Sequence, residues 1–168
     1  MGDMLAFVPP QDRAQLCAYG IRSEPGGAES VTMFDWPTPE PIKIVRQYLA
    51  AMNARDAEQV EALLDERIRF VDSRGEWIEG RENVATATRR FFDLEPDYKL
   101  HDMKIVMHQG DVLLKGRASA REERLAHDTL WRARTRRGKL VHWQSYGEDS
   151  PALARILMPE AVQGIEPN

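Results

Sequence analysis

The chain has 168 residues, 42% of them hydrophobic, which is enough for one cored domain with an appendage; 23 basic against 27 acidic residues leave a formal net charge of −4. Acids and bases are interspersed, which argues against a dedicated nucleic-acid binder, normally a basic protein. No apolar run approaches the roughly 20 residues that span a bilayer, MGDMLAFVPPQDR lacks the basic and apolar regions of a secretory leader, and the lone Cys17 offers neither a disulfide framework nor a cysteine metal site.

A cytoplasmic protein with no membrane or nucleic-acid partner, no metal and no cofactor is therefore expected. Residues 1–38 are rich in turn residues (Pro9-Pro10, Pro25-Gly26-Gly27, Pro37) and read as an N-terminal arm. The arm's Leu5, Phe7, Val8, Val31, Met33, Phe34 and Trp36 are many for a freely solvated tail, so it is expected to lie on the domain or on a partner subunit. The domain itself is expected over 39–158, with 159–168 as a tail.

Thr38-Pro39-Glu40 reads as a helix start, with a hydroxyl cap, a proline and an acid. Ile42, Val45, Leu49 and Met52 make one apolar stripe of this helix, which ends near Asn53; Tyr48 sits beside the stripe, either as packing or as a pocket group. Asp56, with Gln59 three residues on, caps a second helix that buries Val60, Leu63 and Leu64. Ile68 to Asp72 alternates as a strand with Ile68, Phe70 and Asp72 on one face. Gly75 turns the chain into a short strand at Trp77 and Ile78, and Gly80 leads into a third helix carrying Val84, Ala87, Thr88, Phe91 and Phe92.

After Pro96 the period changes to two. Strands are expected over Lys99–His108, Val112–Arg121, Leu125–Arg134 and Leu140–Tyr146, with turns at Gln109-Gly110-Asp111 and Arg136-Arg137-Gly138, before a short helix from Ser150-Pro151 with Leu153, Ile156 and Leu157. Three helices followed by an antiparallel meander is an α+β plan. On the strand Leu125–Arg134 the arginines belong outside, so Leu125, His127, Thr129, Trp131 and Ala133 face inward. Asp72 and His127 are then two ionisable residues pointing inward, which is a site hypothesis; the alternatives are a turn-capping aspartate and a hydrogen-bonded core histidine.

VRQYLAAMNARD, VEALL, RIRFVDSRGEWIEGRENV and RRGKLVHWQSYGED together resemble the nuclear-transport-factor-2-like superfamily, and within it the SnoaL-like polyketide cyclases and ketosteroid isomerases, over about residues 40–158. The resemblance implies a cone-shaped fold, three N-terminal helices packed in the concave face of a bent antiparallel sheet. It also implies dimers paired through the sheet, whose outer face would carry Val71, Val106, Leu113 and Leu130. Tyr48 falls on the family position that donates to a substrate oxyanion, and Asp72 on that of the general base. His127 or Asp128 falls near the family's third group, and the face argument favours His127. The expectation is a cofactor-independent acid–base enzyme (isomerase, cyclase, dehydratase or retro-aldol-type lyase) with Asp72, Tyr48 and His127 as catalytic residues. Phe70, Trp77, Phe92 and Trp131 would contact a small, largely apolar cyclic or aromatic substrate. The alternative is a non-catalytic ligand-binding or assembly domain.

Overall fold

The computed structural model describes residues 37–147 and 150–165. The apolar residues of the expected arm, Leu5 to Trp36, lie outside the described residues, as does Cys17. Helix α1 (Glu40–Ala54) starts at Pro39 without a side-chain cap, so Thr38 stands one position too early for the capping role expected of it. α1 ends at Arg55, which takes a left-handed φ of 59° and donates its N–H back to Ala51 and Met52. Asp56 does cap α2 (Ala57–Leu63), its carboxylate accepting from the Gln59 amide over 2.9 Å.

Leu64 opens strand β1 (Leu64–Val71) rather than closing α2, and β2 (Glu76–Glu79) returns antiparallel beside it. Helix α3 (Arg81–Leu94) then buries Val84, Ala87, Thr88, Phe91 and Phe92. Strands β3 (Lys99–His108) and β4 (Asp111–Ser119) form a hairpin whose two-residue turn needs positive φ at Gln109 and Gly110. A bulge at Asp102–Met103 interrupts β3 and lays Met103 over Gly116, where a Cβ would sit 2.3 Å from the Met103 sulfur. After a 3₁₀ turn (Glu123–Leu125) come β5 (Asp128–Arg136), β6 (Lys139–Tyr146), α4 (Leu153–Leu157) and β7 (Gln163–Ile165).

The architecture corrects one expectation. The sheet is neither wholly antiparallel nor bent into a cone. It is an open, seven-stranded mixed sheet in the order β3-β4-β5-β6-β1-β2-β7, without strong curl, and β6 lies parallel to β1. Three reversals run from β3 to β6, and β6 then lies beside β1 in the same direction, so the join between the two halves of the sheet is parallel. β7 pairs with β2 and extends the sheet past residue 158, and the edge strands β3 and β7 are not paired with each other.

α1 packs across β3 to β6, and α3 against β1 and β2, so the core lies between the helices and one face of the sheet. Val45, Val60, Ile68, Ile78, Val112 and Leu140 are fully buried there, each stabilising the fold by about 1.5–3 kcal/mol relative to exposure. Ile156, expected on the apolar side of the last helix, is instead 52% exposed; Ala154 and Leu157 face in. Of the four apolar residues assigned to the sheet's outer face, Val71 and Leu130 are already buried, while Val106 and Leu113 are half-buried. Beside them Asp111, itself buried, accepts from Arg132 over 2.6 Å and from Arg134 over 2.6 and 3.0 Å. Among the described residues no helix is long and apolar enough to cross a membrane.

Candidate functional site

A cavity of about 80 Å³ opens between the helices and the sheet. Its floor comes from cross-strand neighbours: Phe70 on β1 lies beside Trp143 on β6, and Trp131 on β5 lies beside Ser145. Helix α1 contributes Tyr48 and Met52, one turn apart. Helix α3 contributes Val84, Ala87, Thr88 and Phe91, the i, i+3, i+4, i+7 face that helical geometry aims at one neighbour. Tyr98 and Leu100, at the entry to β3, and Leu153 and Leu157 of α4 complete the wall. No lining residue is charged.

Tyr48, Thr88, Tyr98 and Ser145 bring hydroxyls to this otherwise apolar wall. Trp143 holds the Tyr48 ring at a centroid distance of 4.7 Å, and Phe91 meets the Tyr98 ring edge-on at 4.8 Å. Neither phenol hydroxyl has a hydrogen-bond partner among the described residues, although Tyr48 is only 5% exposed. Burial raises the pKa of both phenols. The proximity of Tyr98 raises that of Tyr48 further, and the Glu95 carboxylate does the same to Tyr98. Both stay protonated at neutral pH and are donors. The Thr88 hydroxyl, by contrast, donates to the Val84 carbonyl over 2.9 Å.

The structure places Asp72 and His127 elsewhere, and both touch the C-terminal segment. Asp72 follows β1 and is fully buried. One carboxylate oxygen accepts from the amides of Arg74 (2.9 Å) and Glu76 (3.0 Å), the other from the amide of Ala154 (3.0 Å). Burial raises its pKa, and the three amides oppose that rise. It is not a lining residue of the cavity, although Phe70, two residues earlier, is.

His127 falls just before β5, because the chain makes a 3₁₀ turn where the strand was expected to begin. Its Nδ1 lies 2.9 Å from the Asp128 carbonyl, which can only accept, so Nδ1 donates there, and Nε2 lies 3.1 Å from the Ser150 hydroxyl. Thr129 Oγ1 lies 2.8 Å from the same Nδ1. Gly147 passes so close that a Cβ would sit 2.5 Å from Ser150 Oγ and 2.8 Å from the His127 ring. Arg74 binds the Ser150 carbonyl over 3.2 Å and Arg90 binds that of Leu157 over 2.6 Å. Asp72 and His127 thus grip the segment that supplies Leu153 and Leu157 to the cavity wall.

Of the residues expected to contact substrate, Phe70 and Trp131 line the cavity and Trp77 and Phe92 do not. Trp77 lies under the Arg69 guanidinium, whose Cζ is 3.9 Å from the centroid of the Trp77 ring. Phe92 lies under Arg55, whose guanidinium also donates to the Phe92 carbonyl over 2.7 Å and so satisfies the end of α3. Asp128 is exposed and pairs with Arg117. Sequence reasoning missed Tyr98, Phe91 and Trp143 as lining residues. The alternation Val141, Trp143, Ser145 could have found Trp143; Tyr98 sits where the helical period gives way to that of a strand and no pattern marks it. Among the described residues no group of three His, Cys, Asp or Glu side chains converges as a metal site would require.

Solved structures share this architecture at low identity. An NTF2-like protein of unknown function from Cytophaga hutchinsonii is 16% identical, covers 64% of this chain and 89% of its own, and superposes with a TM-score of 0.55. An epoxide hydrolase of the LEH-like type from M. tuberculosis is 19% identical over 65% of this chain and 79% of its own, with a TM-score of 0.55. A Catenulispora acidiphila protein with a ketosteroid isomerase-like fold, solved in complex with trimethylamine, is 19% identical over 67% of this chain and 90% of its own, with a TM-score of 0.54. No curated protein matches the sequence. The SnoaL-like domain family model matches residues 45–143, from within α1 to Trp143 at the cavity floor. An aromatic cavity between two helices and a mixed sheet, in a stretch that this model spans, makes the chain a member of the SnoaL-like domain family.

Proposed function

We propose that this chain is a cofactor-independent acid–base enzyme acting on a small, largely apolar cyclic or aromatic molecule in the cavity, by isomerisation, cyclisation, dehydration or retro-aldol-type cleavage. The observation that carries this reading is the Tyr48 hydroxyl, a donor without a hydrogen-bond partner among the described residues, on a buried residue that lines the aromatic cavity. A substrate oxygen that accepts from Tyr48 gains stabilisation as negative charge builds on it; one such donor is typically worth on the order of 3 kcal/mol in the transition state. The matching base removes the proton beside the carbonyl. The C–H electron pair becomes the new C=C bond and the carbonyl π pair moves onto the oxygen facing Tyr48.

Asp72 is the base in this reading. Burial raises its pKa, and it lies two residues beyond Phe70 of the cavity floor, hydrogen-bonded to Ala154 beside the lining residue Leu153. A second reading, a non-catalytic ligand-binding domain, is favoured by one observation: both Asp72 oxygens are held by backbone amides in a place that does not line the cavity.

Proton exchange separates the two. With acetophenone in deuterium oxide, followed by NMR, an acid–base site replaces the methyl protons by deuterium far faster than buffer does, and Asp72→Asn abolishes the gain. Binding without exchange in the unsubstituted protein supports the second reading. The enzyme reading also pairs two chains through the sheet's outer face, around Val106 and Leu113; sedimentation at micromolar concentration should show a dimer, and a monomer of about 19 kDa would remove that part.

A further inference from the structure

The walls of the cavity differ in what supports them. β1, β5 and β6 each have a neighbouring strand on both sides, and α1 and α3 run for 15 and 14 residues. Leu100, at the start of β3, is backed by Ala118 of β4, and the Asn53 side chain bonds both its amide and its carbonyl. α4 has five residues, and an isolated helix shorter than about 12 does not hold its shape in water. We infer that residues 150–158, the segment containing α4, are the moving wall of the cavity: the segment undocks as one unit, α4 unwinds, and the space behind Leu153 and Leu157 opens to solvent. This goes beyond the reading under Proposed function and holds whether or not chemistry follows binding.

The grip on this segment supports it. Residues 150–158 are held by side chains of other elements, not by a strand ladder. Arg74 donates to the Ser150 carbonyl, His127 meets the Ser150 hydroxyl, and Asp72 accepts from the Ala154 amide. Glu76 pairs with Arg155, and Arg90 of α3 donates to the Leu157 carbonyl and pairs with Glu160. The side chains of Arg90 and Arg155 are 47% and 68% exposed, so solvent screens their pairs and each holds weakly. The apolar grip is small as well: Ala154, Leu157 and Met158 are buried, but Leu153 is only half-buried and Ile156 is exposed. β6 before the segment and β7 after it are both paired in the sheet, so it can lift between two fixed ends. Few buried apolar groups and tethers that face water are the marks of a segment that opens without global unfolding.

The test measures segment opening and cavity access side by side, on the full chain carrying Cys17→Ser so that no other thiol is present. Ala87→Cys, or Thr88→Cys should the first not fold, puts one thiol on the cavity wall, and its alkylation by iodoacetamide reports access. Native-state hydrogen exchange at the amides of Ala154, Ile156 and Met158 reports docking, because they donate to Asp72, Ala152 and Ala154. These amides should exchange at least about tenfold faster than those of β4, and the thiol should be protected to the same degree as they are. Arg90→Ala should speed segment exchange and alkylation by one common factor, about five- to thirtyfold; Arg74→Ala, which frees the Ser150 end, takes its place if that variant does not fold. Val112→Ala, in the core of β4 and away from the cavity wall, should speed β4 exchange at least about tenfold and leave the segment and the thiol unchanged. Segment amides as slow as those of β4 would overturn the inference. Faster segment exchange with unchanged alkylation would overturn it too, since the entrance would then lie elsewhere. So would faster alkylation in Val112→Ala, since access would then need the whole fold to open.

Discussion

Asp72 and Ala154 are 82 residues apart and share a hydrogen bond of 3.0 Å, from the Ala154 amide to the Asp72 carboxylate. Through it the turn after β1 holds the helix that walls the cavity. Asp72→Asn therefore has a structural consequence whatever its catalytic one. The asparagine NH₂ must face at least one amide that the carboxylate now accepts from, so about 1–3 kcal/mol of stability should be lost at neutral pH, measured by urea unfolding.

The same residue gives a pH signature. Its folded pKa is raised above the ordinary 3.8, chiefly by burial. The folded protein thus takes up this proton before the unfolded chain does. Its contribution to stability is fully present below about pH 3.8 and is lost as pH rises through the raised folded value. Unfolding free energies between neutral pH and pH 4 should contain a component that rises as pH falls and is missing in Asp72→Asn. An identical slope in both proteins would show that Asp72 titrates normally.

Asp111 gives the opposite sign. Burial alone would raise its pKa, but the hydrogen bonds from Arg134 and Arg132 outweigh burial and the net shift is downward. Its contribution is present above pH 3.8 and is lost as pH falls through the lowered folded value. Both arginines are partly exposed, so solvent screens the pairs, and Asp111→Ala should cost only about 1–2 kcal/mol at neutral pH. The loss should shrink progressively in unfolding measured as pH falls below 3.8.

Tyr48→Phe separates function from packing. The hydroxyl has no hydrogen-bond partner to lose among the described residues, so the unfolding temperature should hold or rise slightly while turnover falls about ten- to a thousandfold. A clear loss of stability would show a structural bond there instead.

Gly147→Ala probes the grip on the C-terminal segment. The added methyl would meet Ser150 Oγ at 2.5 Å and the His127 ring at 2.8 Å, so the pair must part. A cost of about 1–3 kcal/mol follows from overpacking. Amide hydrogen exchange should accelerate around Leu153–Leu157 while β3 and β4 keep their protection.

Local rules carried much of the fold. The period of 3.6 in Val84, Ala87, Thr88 and Phe91 marks the same helix face that lines the cavity, and alternation placed Trp131 and Ala133 inward. What local rules miss is pairing at long range. Nothing in LDERIRFV or KLVHWQSY announces that these strands lie parallel, and without that pairing the shape of the sheet could not be read. At the site, the helix stripe left Tyr48 as either packing or a pocket group, and the family resemblance pointed to the pocket, whose wall it joins. Asp72 and His127 stand where elements end, and there the backbone turns and the face argument fails. Their partners, Ala154 and Ser150, come from a segment whose return no periodicity encodes.

The parallel pairing of β1 with β6 also orders events on the ribosome. Leu64 emerges well before its partner Leu140, and the hairpins of β3 to β6 must form before β1 gains its second neighbour. Until then β1 has only β2 beside it, with Ile68 and Val71 on opposite faces, both apolar and both fully buried in the finished fold. A nascent chain stopped short of Tyr146 would display that strand with one edge unpaired, a surface that chaperones bind and that sticks to its own kind. Synthesis of this domain is thus a long wait followed by a late closure, and its yield in a cell depends on how well β1 is shielded during that interval.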